Sequence, residues 1–189
     1  MTNLHIYQII SVGLIVTFAL LRTFEVKLRT GANKGVIKNP RSFHLLLAST
    51  LAVVLTSILT VLLSNTPTPV SSLLVGTLIL LSSFGLRHLA ANALGSFWSV
   101  HIEIRKDHPV IKTGPYKYIR HPIYTSILLE AAGFAILGNS YCALVLIVLA
   151  TLPSIIYRLK KEEKAMISEI GAPYEIYMKT TGSLIPKLK

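Results

Sequence analysis

Acidic residues are scarce in this chain of 189: eight Asp and Glu stand against nineteen Lys and Arg, and charge of both signs reaches only 14%. With 52% of residues apolar, so little charge excludes an ordinary soluble domain of this size and points to a membrane protein. Cysteine is nearly absent as well. The lone Cys142 rules out an internal disulfide, has no second thiol to share a metal with, and lies in an apolar run, where it is expected to pack as a small hydrophobe. The opening MTNLHIYQII lacks the Lys or Arg of a signal peptide, and the apolar stretch after it is too long for one. A retained span is expected there. No internal repeat or low-complexity tract is present, so the chain reads as one integral membrane domain over residues 1–189.

What is abundant is apolar sequence in helix-length blocks. A span needs about 20 residues to cross a hydrocarbon core about 30 Å thick. Five blocks come near that length: Leu4 to Leu21, Phe43 to Leu63, Ser72 to Ala93, Tyr124 to Leu137 and Tyr141 to Tyr157. The fourth is short and is joined to the fifth only through Gly138, Asn139 and Ser140, which predicts a tight antiparallel hairpin. Basic residues alternate between the loops: the one after the first block holds Arg22, Lys27, Arg29, Lys34, Lys38 and Arg41, whereas SNTPTPVS after the second holds none. By the positive-inside rule the amino terminus is expected outside, with the carboxyl terminus and any inner-face site cytoplasmic. Clustering of this kind suits contact with acidic lipid headgroups. No nucleic-acid partner is expected, because zinc-finger spacings and aromatic ribonucleoprotein motifs are absent.

Residues 1–93 thus form three spans, and 94–189 carry the chemistry. About 30 residues join the third and fourth blocks, long for a structureless connection in so compact a protein. They include H101-I-E-I-R-K-D-H108-P-V-I-K-T-G114-P-Y116-K-Y-I-R120-H121-P122-I-Y124, and the chain beyond the hairpin reads R158-L-K-K-E162-E163. A hairpin with so short a turn returns both stretches to one membrane face. Pro122 fits the first turn of a helix, placing His121 at its start, where free amides favour polar or anionic groups. Tyr116 and Tyr124 offer faces that stack on a purine or attract a cation. Arg158 and Glu162, four apart, share one helix face. Plainer readings stand beside these: Arg120 and His121 as interfacial contacts to phosphate, Tyr118 and Tyr157 as an aromatic belt, Arg158 with Glu162 as a surface pair, and Arg87 and His88 as snorkelling groups. After Arg158 the fifth helix is expected to continue to Ile170 and break at Gly171 and Pro173, ahead of a short amphipathic piece.

GPYKYIRHPIY, then RLKKEE after the hairpin, then GAPYEIY, resembles the isoprenylcysteine carboxyl methyltransferase family, and the shortness of the chain resembles its prokaryotic members. The resemblance implies an all-α membrane protein whose cofactor pocket is formed by the 94–123 loop, the last helical hairpin and the carboxyl-terminal helices. It further implies that His108, Pro109, Val110, Ile111, Tyr116, His121, Pro122, Ile123 and Tyr124 line a pocket for S-adenosylmethionine. His101 falls where the family has a polar cofactor contact, Glu162 on a cofactor-facing carboxylate, and Arg158 on a residue orienting the substrate carboxylate. Arg158 and Glu162 are the catalytic candidates. The implied reaction is methylation of a lipophilic acceptor such as an isoprenylated cysteine carboxylate, with S-adenosylhomocysteine as product and no metal. Phospholipid amine methylation, a nicotinamide-dependent sterol-type reduction and non-catalytic binding of acidic lipid remain alternatives.

Overall fold

The computed structural model describes residues 2–29, 36–38, 40–99, 102–104 and 109–187. Its helices are α1 (Thr2–Arg29), α2 (Pro40–Leu63), α3 (Val70–Leu94), α4 (Pro122–Leu137), α5 (Tyr141–Leu146), α6 (Leu152–Ile170) and α7 (Ala172–Thr180), with short 3-10 turns at Gly95–Phe97 and Gly114–Lys117. The all-α expectation holds, with one small addition. Strands β1 (Val36–Lys38) and β2 (Ile102–Ile104) pair antiparallel and tie the loop after α1 to the loop after α3. Four helical stretches, Ile6–Leu28, Arg41–Leu63, Val70–Phe97 and Tyr141–Ile170, are long and apolar enough to cross a membrane, and Pro122–Leu137 is a shorter apolar helix.

Burial in these helices is inverted relative to a soluble protein. Large apolar side chains such as Leu55, Leu59, Leu78 and Leu149 point outward, while Ser11, Ser49, Ser57, Ser83 and Ser126 are buried. Lipid solvates the outside, and small residues let helix backbones approach inside. Gly133 shows the limit: a Cβ there would lie 2.7 Å from Cγ of Leu80 on α3. Cys142 departs from expectation. It is exposed on the outer surface of the hairpin rather than packed, because α5 turns its apolar outer face away from the bundle.

The connections fix which helix ends meet. Gln8 Nε2 donates to the Ser64 carbonyl at 2.8 Å, Ser11 Oγ to that of Leu137 at 3.1 Å, and Thr60 and Ser140 hydroxyls bond at 2.7 Å. The start of α1, the end of α2 and the hairpin turn therefore share one end of the bundle. Every basic cluster with described side chains lies toward the other end, consistent with the alternation read from the loops. Beyond the turn the chain runs from Tyr141 to Ile170 as one rod, α5 passing into α6 through a π-helical stretch, Ile147–Thr151. Pro153 accounts for that irregularity, since it has no N–H to donate to the preceding turn and its ring crowds the carbonyl there. The rod stops at Gly171, whose φ of 71° reverses the chain into α7.

Candidate active site

The site begins at the first turn of α4. His121 caps the helix, and Pro122 takes the first helical position, where a missing N–H leaves nothing unsatisfied. A strap from the carboxyl-terminal segment holds this turn in place. The Arg120 amide donates to the Gly182 carbonyl at 2.8 Å, the His121 amide to that of Ser183 at 3.1 Å, and Thr125 Oγ1 to that of Leu184 at 2.7 Å. Arg120 Nη1 adds a bond of 3.1 Å to the Met178 carbonyl and a second to that of Thr181.

From the facing rod, α6 brings three charged side chains against that turn. Tyr124 donates its hydroxyl to Glu162 Oε2 and accepts from Arg158 Nε at 2.9 Å, and Arg158 Nη1 reaches Ser42 Oγ of α2 at 3.4 Å. Glu163 Oε1 takes both Arg120 Nε and Nη2, at 3.0 and 2.8 Å, and lies 3.1 Å from His121 Nε2. The His121 and Tyr124 rings stack with centroids 5.6 Å apart. Glu162 Oε1 is 3.9 Å from His121 Nδ1, beyond hydrogen-bond range, so it keeps accepting capacity on the cavity side.

These groups line one end of a cavity of about 400 Å³, within the size range of small-molecule and cofactor sites. Val110, Ile111, Tyr116, Ile123, Met166, Tyr174 and Tyr177 complete that end. Burial, with Glu162 and Tyr177 nearby, pushes the Tyr116 phenol well above its ordinary range, and burial with Glu162 and Glu163 does the same to Tyr174. Burial also pushes Tyr177 up to about 12 against the pull of Arg120. All three stay neutral at physiological pH. Their rings are uncharged faces suited to a nucleoside base or a cation. Tyr177 is itself fixed, donating to the Tyr116 carbonyl at 2.5 Å.

Of the residues singled out from the sequence, His121, Tyr124, Arg158 and Glu162 meet directly, and Val110, Ile111, Tyr116 and Ile123 share their cavity. Pro109 is exposed and Pro122 is fully buried, neither on the cavity wall. His101 and His108 lie outside the described residues. Tyr118 and Tyr157 are exposed, as an aromatic belt requires.

Arg87 corrects the snorkelling expectation. It is only 1% exposed, turned inward, and its Nη2 donates to Glu130 Oε2 on α4 at 2.5 Å. Arg22 Nε of α1 lies 3.6 Å from the same oxygen, and Glu25 Oε2 lies 3.7 Å from Arg22 Nη1 and 3.9 Å from Arg87 Nε. Arg22, Arg87 and Glu130 line the cavity away from the Tyr124 end. One signal was readable: Glu130 is a lone carboxylate inside an apolar block, and such a group needs a buried partner. Tyr174 and Tyr177 stood in GAPYEIY, one of the stretches that carried the resemblance, but were read there only as part of the amphipathic tail.

Comparison with known proteins gives the same direction. Residues 74–168, half of the chain, match the model of the isoprenylcysteine carboxyl methyltransferase family. The stretch begins inside α3, earlier than the motifs alone suggested, and takes in both Arg87 and Glu130. An uncharacterised protein, YpbQ, of Bacillus subtilis (strain 168) is 28% identical over 88 residues, covering 47% of this chain and 52% of that protein. Protein-S-isoprenylcysteine O-methyltransferase of Schizosaccharomyces pombe is 33% identical over 81 residues, covering 43% of this chain and 34% of that one. The Saccharomyces cerevisiae protein of the same name is 29% identical over 114 residues, covering 59% and 48%. This chain therefore spans about half the length of these relatives, or less.

Proposed function

This chain belongs to the isoprenylcysteine carboxyl methyltransferase family, and on that premise we propose that it transfers a methyl group from S-adenosylmethionine to a lipophilic carboxylate at the cytoplasmic face of a membrane. The acceptor class is an isoprenylated cysteine or a molecule like it. One observation carries the reading: Tyr124 joins Glu162 and Arg158 in a single hydrogen-bonded set on the wall of an aromatic-rich cavity.

The residues present suit the cofactor. Glu162 Oε1 has lone pairs to accept from the amino group of the methionine portion, and Tyr116, Tyr174 and Tyr177 supply faces for the base and the sulfonium. When bound, S-adenosylmethionine supplies a methyl carbon already activated by the sulfonium. Transfer of that methyl to a carboxylate oxygen, with S-adenosylhomocysteine as the leaving group, would need neither a covalent enzyme intermediate nor a general base from the chain. The chain's task is alignment and exclusion of water. Arg158, held by Tyr124 and Ser42, orients the acceptor carboxylate. His121, locked by Glu163, keeps the first turn of α4 closed over the site.

The test is binding and turnover on purified protein in detergent. S-adenosylhomocysteine should bind and NADPH should not, and labelled methyl should appear on S-farnesyl or S-geranylgeranyl thiol carboxylates. Tyr124→Ala and Glu162→Ala should weaken S-adenosylhomocysteine binding by tenfold or more, about what one charge-assisted hydrogen bond supplies. Arg158→Ala should fall mainly in turnover and acceptor affinity. Binding of NADPH alone would replace this reading with a reductase, and label on amino lipids would move the acceptor to phospholipid amines.

A further inference from the structure

The Arg22, Glu25, Arg87 and Glu130 cluster plays no part in the chemistry just described, yet three of its members face the same cavity. Among the described residues its charges balance, two against two. Its hydrogen bonds do not: among the described residues the buried Arg87 Nη1 lacks a hydrogen-bond partner, while Arg87 Nε and Arg22 Nη1, also without a hydrogen bond, face Glu25 Oε2 at 3.9 and 3.7 Å. A guanidinium N–H left so in an apolar wall carries a desolvation cost of about 1–3 kcal/mol. The adjoining wall is mostly hydrocarbon, with Leu47, Leu51, Val54, Ala131 and Phe134, and carries hydroxyls only at Thr23 and Thr50 among its described residues.

We propose that this cluster is a second subsite of the acceptor pocket, donating from Arg87 to a neutral oxygen, a carbonyl or ether, carried within the acceptor's lipophilic chain. The proposal rests on the methylation reading for the site at Tyr124 but concerns a different part of the molecule. Neutrality follows from the charge balance. A carboxylate or phosphate would bring an unmatched negative charge beside Glu130, which already accepts from Arg87 at 2.5 Å, whereas a carbonyl takes the spare N–H groups and adds no charge. Position follows from the helix. Glu130 stands six residues beyond Tyr124 on α4, about 9 Å along its axis at the usual rise. The subsite thus favours, over a plain isoprenyl chain, an acceptor that is polar at its methylated end, apolar along its chain, and polar again at one atom about 9 Å further in.

The experiment compares two probes, a saturated long-chain fatty acid and its counterpart bearing one keto group about 9 Å from the carboxylate. Dissociation constants are measured on the full-length protein in detergent with S-adenosylhomocysteine present, so the result does not depend on methyl transfer. Wild-type protein should bind the keto acid about tenfold more tightly, the worth of one buried hydrogen bond to a charged donor. The paired change Arg87→Met with Glu130→Gln removes both partners together, avoiding a stranded charge. It should abolish the preference while S-adenosylhomocysteine affinity stays within about twofold, which shows that the cofactor end remains folded. Equal binding of the two probes by wild-type protein overturns the subsite, leaving the cluster as a hydrated interhelical tie. A keto preference that survives in the paired variant overturns it too, as does failure of both probes to bind. Methyl transfer measured alongside tests the reaction: loss of label with the keto preference intact would sink the methylation reading and leave the subsite standing.

Discussion

The cavity has two polar ends, and the chain assembles them in different ways. At one, Arg120, His121 and Tyr124 come from a single turn at the start of α4, and Arg158, Glu162 and Glu163 from two turns of α6. At the other, Arg22, Glu25, Arg87 and Glu130 come from three separate spans, two residues from α1 and one each from α3 and α4. Glu163 at the first end has a side chain 14% exposed, and Glu162 33%, whereas Arg87 at the second has 1%. The first end keeps access to solvent and solute. At the second, Arg22 and Glu25 keep 24% and 15%, so the difference lies in the Arg87–Glu130 pair, at 1% and 9%, which acts under a far larger desolvation cost.

That contrast can be broken most forcefully at Glu130. Glu130→Ala removes the close partner of the buried Arg87, leaving it only Glu25 at 3.9 Å, and should destabilise the protein by about 3–5 kcal/mol, read as a lowered unfolding midpoint in detergent. An unchanged midpoint would mean that water reaches both ends equally. Glu163→Gln sharpens the other side. It removes the charge that Arg120 and His121 share, so S-adenosylhomocysteine affinity should fall about tenfold while the midpoint hardly moves, since a partly exposed pair contributes only about 1 kcal/mol or less. A large loss of stability with normal affinity would reverse the roles of the two ends. The smallest effect is expected from Gly182→Ala in the strap, where a Cβ would fall 1.9 Å from the Ile185 carbonyl oxygen. The clash is with backbone, so the exposed 185–187 segment must move and carry the strap with it, and affinity should fall about three- to fivefold. Normal affinity there would show that His121 is held by Glu163 alone.

The same contrast explains what the sequence disclosed. Spans were readable because lipid imposes a length and an apolar composition on each helix separately, and the break at Gly171 because its conformation is a local matter. The meeting of His121 and Tyr124 with Arg158 and Glu162 was readable because a three-residue turn leaves the hairpin no other course. Partners across spans are another matter. Arg87 and Glu130 are 43 positions apart on helices whose facing sides depend on how Gly133 and Leu80 pack, and no spacing rule relates them. A lone arginine near a span end has two stable solutions, outward to headgroups or inward to a carboxylate. Only the carboxylate's position decides between them. The strap was invisible for a similar reason, because its bonds to Arg120 and His121 use backbone carbonyls, which every residue carries.

The π-helical stretch at Ile147–Thr151 has a consequence for everything beyond it. Such a stretch is in effect one residue inserted into an α-helix, and each residue advances the helix by about 100° of azimuth. The bearing of Arg158 and Glu162 is therefore set about three turns before Glu162 is reached. Shortening the stretch by one residue would leave both side chains on the same rod, equally charged and at nearly the same depth, but swung away from Tyr124 toward hydrocarbon.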